Sequence, residues 1–139
     1  MSMVYGGIVM EIVSFEIAKK LKEKGFDYPC SDAINSFGCT YRNGWCEYLD
    51  DRNNELITLA DLHKGDYLLP TISQVLKWLR EEKRIDVGAV WDNRDEKWVG
   101  YVNEMDMPDL VGEYILSNTY DFYESAAIAG IEYTLDNLI

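Results

Sequence analysis

The sequence predicts an α+β protein, and three observations carry that reading. Apolar residues recur at helical spacing in three stretches, two of them opening on a cap and a third following a proline. The period then changes to two between residues 85 and 102. Short polar loops separate the alternating segments, as in an antiparallel meander. The predicted architecture is an antiparallel sheet, made of a three-stranded meander plus an N-terminal hairpin, with about three helices packed on it. At 139 residues, 47% hydrophobic and 13% aromatic, the chain suits one domain with a packed core. Residues 1–9 read as a leader ahead of the fold, and residues 10–139 as a single α+β domain.

The first helix spans Phe15 to Lys24. Ser14 is a suitable N-cap, Ile17, Ala18 and Leu21 share a face, and Gly25-Phe26 has the form of a Schellman stop in which Phe26 touches Leu21. The second helix follows Pro70. Thr71 and Gln74 have capping-box spacing, Ile72, Val75, Leu76 and Leu79 form the apolar stripe, and Lys83 and Arg84 close the last turn. The third runs from Asp121 to about Leu138, with Asp121 and Glu124 as a second capping box and Ala127, Ile131, Leu135 and Leu138 as its stripe. Gly130 inside it costs about 1 kcal/mol relative to Ala, which a close approach of another backbone would explain.

The strands come from alternation. Ile85, Val87, Ala89 and Trp91 alternate with Asp86, Gly88, Val90 and Asp92. Asn93–Glu96 turn the chain into Lys97–Val102, and a longer loop with Pro108 leads to Leu110–Leu116. Asn43-Gly44 between Cys39–Arg42 and Trp45–Leu49 has the composition of a type I′ hairpin. Leu56–Leu59 is a further strand candidate, with Asp50–Asn54 and His63–Asp66 as loops.

Charge limits function. The net charge is −12, and from Trp98 to Ile139 there are eight acidic residues and no Lys or Arg. A surface this acidic repels phosphate backbones, so direct nucleic-acid binding is disfavoured, and the function of double-stranded RNA-binding domains is rejected although they share the helix–three strands–helix order. No apolar run approaches the roughly 20 residues that span a bilayer. The start lacks a secretory pattern and three cysteines are an odd number, which together predict a cytoplasmic protein without membrane attachment.

Each chemical motif is weak. Cys30, Cys39, Cys46 and His63 are the residue types of a zinc site, but no paired knuckle spaces them. Cys39 or Cys46 with His63 as base and Asp61 or Asp66 behind it is a conceivable nucleophile, without a surrounding motif. Glu81/Glu82, Asp50/Asp51 and Asp95/Glu96 are neighbours whose side chains diverge. Asp51, Asn53 and Glu55 start like a calcium loop, which Leu56 and Leu62 then break. Gly6-Gly7 precedes no phosphate-binding sequence. No catalytic, cofactor or metal residue is therefore assigned. A small metalloprotein or cysteine-dependent enzyme using Cys30, Cys39, Cys46 and His63 is the alternative reading.

Three stretches occur together: FEIAKKLKEKGFDYPC (15–30), LPTISQVLKWLREE (69–82) and YESAAIAGIEYTLDNLI (123–139). In this layout the chain, from about residue 10 onward, resembles uncharacterised small phage, prophage or mobile-element proteins of gut bacteria. The resemblance implies an accessory phage-type protein and carries no chemistry with it.

The leading expectation is a non-enzymatic accessory protein that acts through contacts with a protein partner or with itself. Its aromatic-rich sheet would provide anchors, and its acidity would select basic partners, in the sharper version as a decoy for a basic host protein. The expected interaction surface comprises Trp91, Trp98, Tyr101, Glu104, Asp106, Asp109 and Glu113.

Overall fold

Helix α1 (Phe15–Glu23) begins and ends where local chemistry dictates in the computed structural model, which describes residues 2–5, 8–41, 56–106 and 113–139. The Ser14 hydroxyl accepts the Ile17 N–H at 3.3 Å. At the other end Gly25 takes φ 88°, the Phe26 N–H donates to the Leu21 carbonyl at 3.0 Å, and the Gly25 N–H donates to Lys22 at 3.2 Å. These two bonds form a Schellman motif, and Leu21 and Phe26 are both buried.

Contacts along the chain cluster into two compact units, Met1–Thr71 and Ile72–Ile139, with the boundary inside the stretch expected to be one domain. In the first unit, β1 (Ser2–Tyr5) and β2 (Ile8–Glu11) pair antiparallel, so residues read as a leader contribute a strand and part of its partner. After α1 come β3 (Asp32–Ile34), β4 (Thr40–Tyr41) and β5 (Tyr67–Leu69), which form an antiparallel sheet in the order β4-β3-β5. The β3–β4 turn is built by Asn35, whose Oδ1 accepts the N–H groups of Phe37 and Cys39, both at 2.9 Å, while Gly38 supplies φ 87°. Helix α1 packs on β5, with Ile17, Ala18, Leu21, Ala33, Ile34, Leu68 and Leu69 in the core.

The hairpin expected at Asn43-Gly44 lies outside the described residues, apart from Thr40–Tyr41. The strand expected over Leu56–Leu59 is corrected. Ile57 makes an isolated bridge to Cys30, and Leu59–Asp61 is a 3-10 turn. Asp61 causes the curl, because its carboxylate accepts from the Thr58 N–H and hydroxyl at 2.9 and 3.0 Å.

The second unit opens with α2 (Ile72–Glu82), whose buried face is Ile72, Val75, Trp78 and Leu79. Arg84, expected in its last turn, lies beyond the helix end at φ 58°. Strands β6 (Ile85–Asp92), β7 (Lys97–Glu104) and β8 (Glu113–Tyr120) then form the antiparallel meander in sequential order. Val87 stands opposite Val102, Ala89 opposite Gly100 and Trp91 opposite Trp98. The β7–β8 register shifts between Val99 and Tyr101. The third strand thus runs to Tyr120 rather than stopping at Leu116.

Helix α3 (Tyr123–Asn137) lies on this sheet and α2 packs on β6. Two glycines let α3 approach. A methyl at Gly100 would stand 2.6 Å from the Ala126 carbonyl oxygen, and one at Gly130 would stand 2.6 Å from Val87 Cγ1 and 3.3 Å from the Tyr101 carbonyl oxygen. The N-cap of α3 is Phe122, not Asp121. Pairing of Tyr120 with Trp98 holds β8 extended to that point, and the Asp121 carboxylate is engaged by Lys97. Three helices on antiparallel sheets make the α+β arrangement that the sequence predicts.

Candidate interaction surface

Cross-strand geometry places the aromatic residues of the second unit. Residues directly opposite in an antiparallel pair share a face, so Trp91 and Trp98 project on the α3 side, at the end of the sheet where α3 begins. Their rings meet edge to face with centroids 5.4 Å apart, and Trp98 meets Tyr123 in the same way at 5.3 Å. Phe122 precedes Tyr123. At Gly100 the sheet meets the helix backbone directly; at the first turn of the helix the gap is filled by rings. Trp91, Trp98 and Tyr123 fill it without sealing it, and Phe122, next to Tyr123 in the chain, stands open to solvent. Trp91 is 47% exposed, Phe122 68% and Tyr123 38%.

Charged groups border this corner. Asp92 follows Trp91, and its Oδ1 accepts the Arg94 N–H at 2.9 Å. Asp121 pairs with Lys97, and Glu124 is exposed in the first turn of α3. Carboxylates therefore lie near this end of the sheet, with Asp92 and Lys97 on the face opposite the tryptophans, and they are not the ones expected.

Of the residues expected to form one surface, the structure joins Trp91 and Trp98 only. Tyr101 lies on the opposite face of the sheet, where its ring covers Gly88 and its hydroxyl donates to Asp86 Oδ2 at 3.3 Å. Burial, with the Asp86 carboxylate adding to it, pushes the Tyr101 phenol above its usual range. Glu104 ends β7, about 20 Å along the strand from Trp98 at roughly 3.3 Å per residue. Asp106 pairs with Arg84 at 3.4 Å near that far end, and the Glu113 backbone lies opposite Asn103. Asp109 lies outside the described residues. Phe122 was missed, since Asp121 took the N-cap role in the sequence reading and left Phe122 inside the helix. Tyr123, likewise absent from the expected surface, meets Trp98 at the start of the helix.

The alternative site is in the first unit. Cys30 is fully buried, and its N–H and C=O exchange hydrogen bonds with Ile57 at 2.9 and 2.7 Å. Its Sγ donates to the Tyr28 carbonyl at 3.2 Å. Burial, and then the Asp32 carboxylate, push the thiol up to about 12. A buried thiol held protonated is a poor nucleophile. Cys39 and His63 are both exposed, and Cys46 lies outside the described residues. Among the described residues no three His, Cys, Asp or Glu side chains come together as a metal set, and no helix is long and apolar enough to cross a membrane.

Compared with family models, with curated proteins and with solved structures, the chain matches none.

Proposed function

We propose that this chain is a non-enzymatic accessory protein of the phage or mobile-element type that its sequence resembles, acting in the cytoplasm through contacts with a basic protein partner. The single observation that carries the reading is the open aromatic corner of Trp91, Trp98, Phe122 and Tyr123. Large aromatic side chains left partly in water at one place, with polar groups around them, are the composition of a protein-binding anchor. The acidic segment from Trp98 to Ile139 favours a basic partner and speeds encounter with it, while disfavouring nucleic acid.

The alternative reading, a metalloprotein or cysteine-dependent enzyme, loses Cys30 through burial: the side chain is sealed in the core and joins no metal-binding cluster among the described residues. It would rest on Cys39, Cys46 and His63 alone.

The test is capture with the tagged full chain from a bacterial lysate, washed at low and at high salt. A stoichiometric basic protein retained at low salt, and lost when Trp91 and Phe122 are both changed to Ala, is the expected result. Equal recovery by the wild-type chain and by the double variant would overturn the reading. A salt dependence as steep as that of nucleic-acid complexes would favour its sharper form, an acidic decoy for a nucleic-acid-handling protein.

A further inference from the structure

Strand β8 is the outer strand of the β6-β7-β8 sheet, and among the described residues no strand pairs with its far edge. Ile115, Ser117, Asn118 and Thr119 are exposed along it. An open edge presents a row of N–H and C=O groups ready to pair, and proteins commonly blunt it with Lys, Pro or a very short strand. β8 has neither Lys nor Pro over its eight residues. Beside it runs an open groove of about 510 Å³, bounded by Leu116 and Tyr120 from the strand and by Ala129, Glu132, Tyr133 and Asp136 from α3.

We propose that this groove binds an extended basic segment of a partner protein, which adds to β8 as a fourth antiparallel or parallel strand. The proposal rests on the reading of the chain as a protein-interaction module and assigns it a second docking site with its own recognition chemistry. Main-chain hydrogen bonds to β8 supply affinity, and alternate side chains of the added strand supply specificity.

Charge and spacing select the occupant. Glu132 and Asp136 are one helical turn apart on α3, so they share a face and lie about 6 Å apart along the axis. Alternate residues of a strand are about 6.6 Å apart, so Lys or Arg at every second position meets the two carboxylates in turn. The intervening residues face away from the helix. The Tyr133 ring adds a surface on which a cation can rest. A second copy of the chain fits poorly, because pairing β8 with β8 would bring Glu132 and Asp136 of both copies toward one another.

The probe is a nonapeptide of alternating Lys and Val, blocked at both ends and labelled, titrated by fluorescence anisotropy with the full chain. Two control peptides accompany it, one methylated on alternate backbone nitrogens and one with Glu in place of Lys. The expected result is binding that weakens at least tenfold on methylation, at least fivefold in the exposed-site variant Glu132→Lys, and disappears for the Glu peptide. Amide exchange should slow along 115–119 when the peptide is present. Equal affinity for the methylated peptide, no effect of Glu132→Lys, no binding of the Lys–Val peptide at millimolar concentration, or sedimentation as a dimer paired through β8 would each overturn the groove. Capture lost by the Trp91 and Phe122 variant while the peptide result fails would overturn the groove alone; capture unaffected by that variant overturns the broader reading separately.

Discussion

The two corners of this protein that hold suggestive residue types have opposite exposures. Cys30 in the first unit, a residue type with reactive chemistry, is sealed from water and its thiol is held up to about 12. Trp91 and Phe122 in the second unit, residue types that normally supply core, are 47% and 68% exposed. Burial of a cysteine needs no functional account, because free Cys packs as a small apolar group. Exposure of these large rings does need one, since each forgoes about half or more of the roughly 1.5–3 kcal/mol that full burial contributes. The difference shifts weight from cysteine chemistry in the first unit to recognition by the second.

Trp78 calibrates the comparison, because it belongs to the same unit as Trp91 but is only 1% exposed. Trp78→Ala is expected to cost about 3–5 kcal/mol in chemical unfolding, whereas Trp91→Ala should cost about a third of that or less. Similar losses at both positions would break the distinction between core and corner. Next in size is Gly100→Ala, where the added methyl meets a backbone carbonyl at 2.6 Å rather than a movable side chain. A loss of about 1–3 kcal/mol is expected, and an unchanged midpoint would show that α3 stands farther from the sheet.

Alkaline titration sharpens the other half. The Cys30 thiol is raised in the folded chain, so its contribution is fully present below the ordinary value of 9.0 and declines as the unfolded chain ionises above it. Stability should fall by about 1.4 kcal/mol per pH unit from 9 toward 12 on account of this group. Comparison with Cys30→Ala between pH 9 and 10 isolates it, since the variant should show a shallower slope. A Cys30 that reacts with a thiol reagent in the folded chain at neutral pH would contradict the sealed geometry. The smallest expected effect on stability is that of Phe122→Ala, within about 0.5 kcal/mol.

Much of the fold was legible because its signals are local. Ser14, Gly25 and Phe26 act within a few residues of one another, and their cap and stop appear as the sequence predicts. Strands β6 and β7 were legible because one face of each is buried, which imposes alternation on the sequence. The end of β8 was harder to see: Ser117, Asn118 and Thr119 are exposed and polar, and only pairing with β7 keeps them extended. The β3–β4 turn had a readable signal in Asn35 and Gly38, which the stronger Asn43-Gly44 pattern overshadowed. The strands described in the first unit, β1 to β5, are two to four residues long, too short for periodicity to mark them.

The site was legible in type and not in place. Trp91 and Trp98 could be aligned from the hairpin register, yet alternation alone does not say which end of a sheet a helix leaves open. Strand direction also separates Glu104 and Asp106 from the tryptophans, although they follow in sequence, because β7 carries the chain away from the corner. Asp92, Asp121 and Glu124 lie at that end of the sheet instead, two of them contributed by the return of the chain through β8 into α3.

The most direct test of the aromatic corner as a recognition surface is paired measurement of capture and stability for Phe122→Ala. Phe122 is the most exposed of its rings, so the change removes contact area with little loss of packing. Retained stability with at least tenfold less captured partner is the expected result. Unchanged capture at unchanged stability would contradict the account and leave the exposed rings without a role in binding.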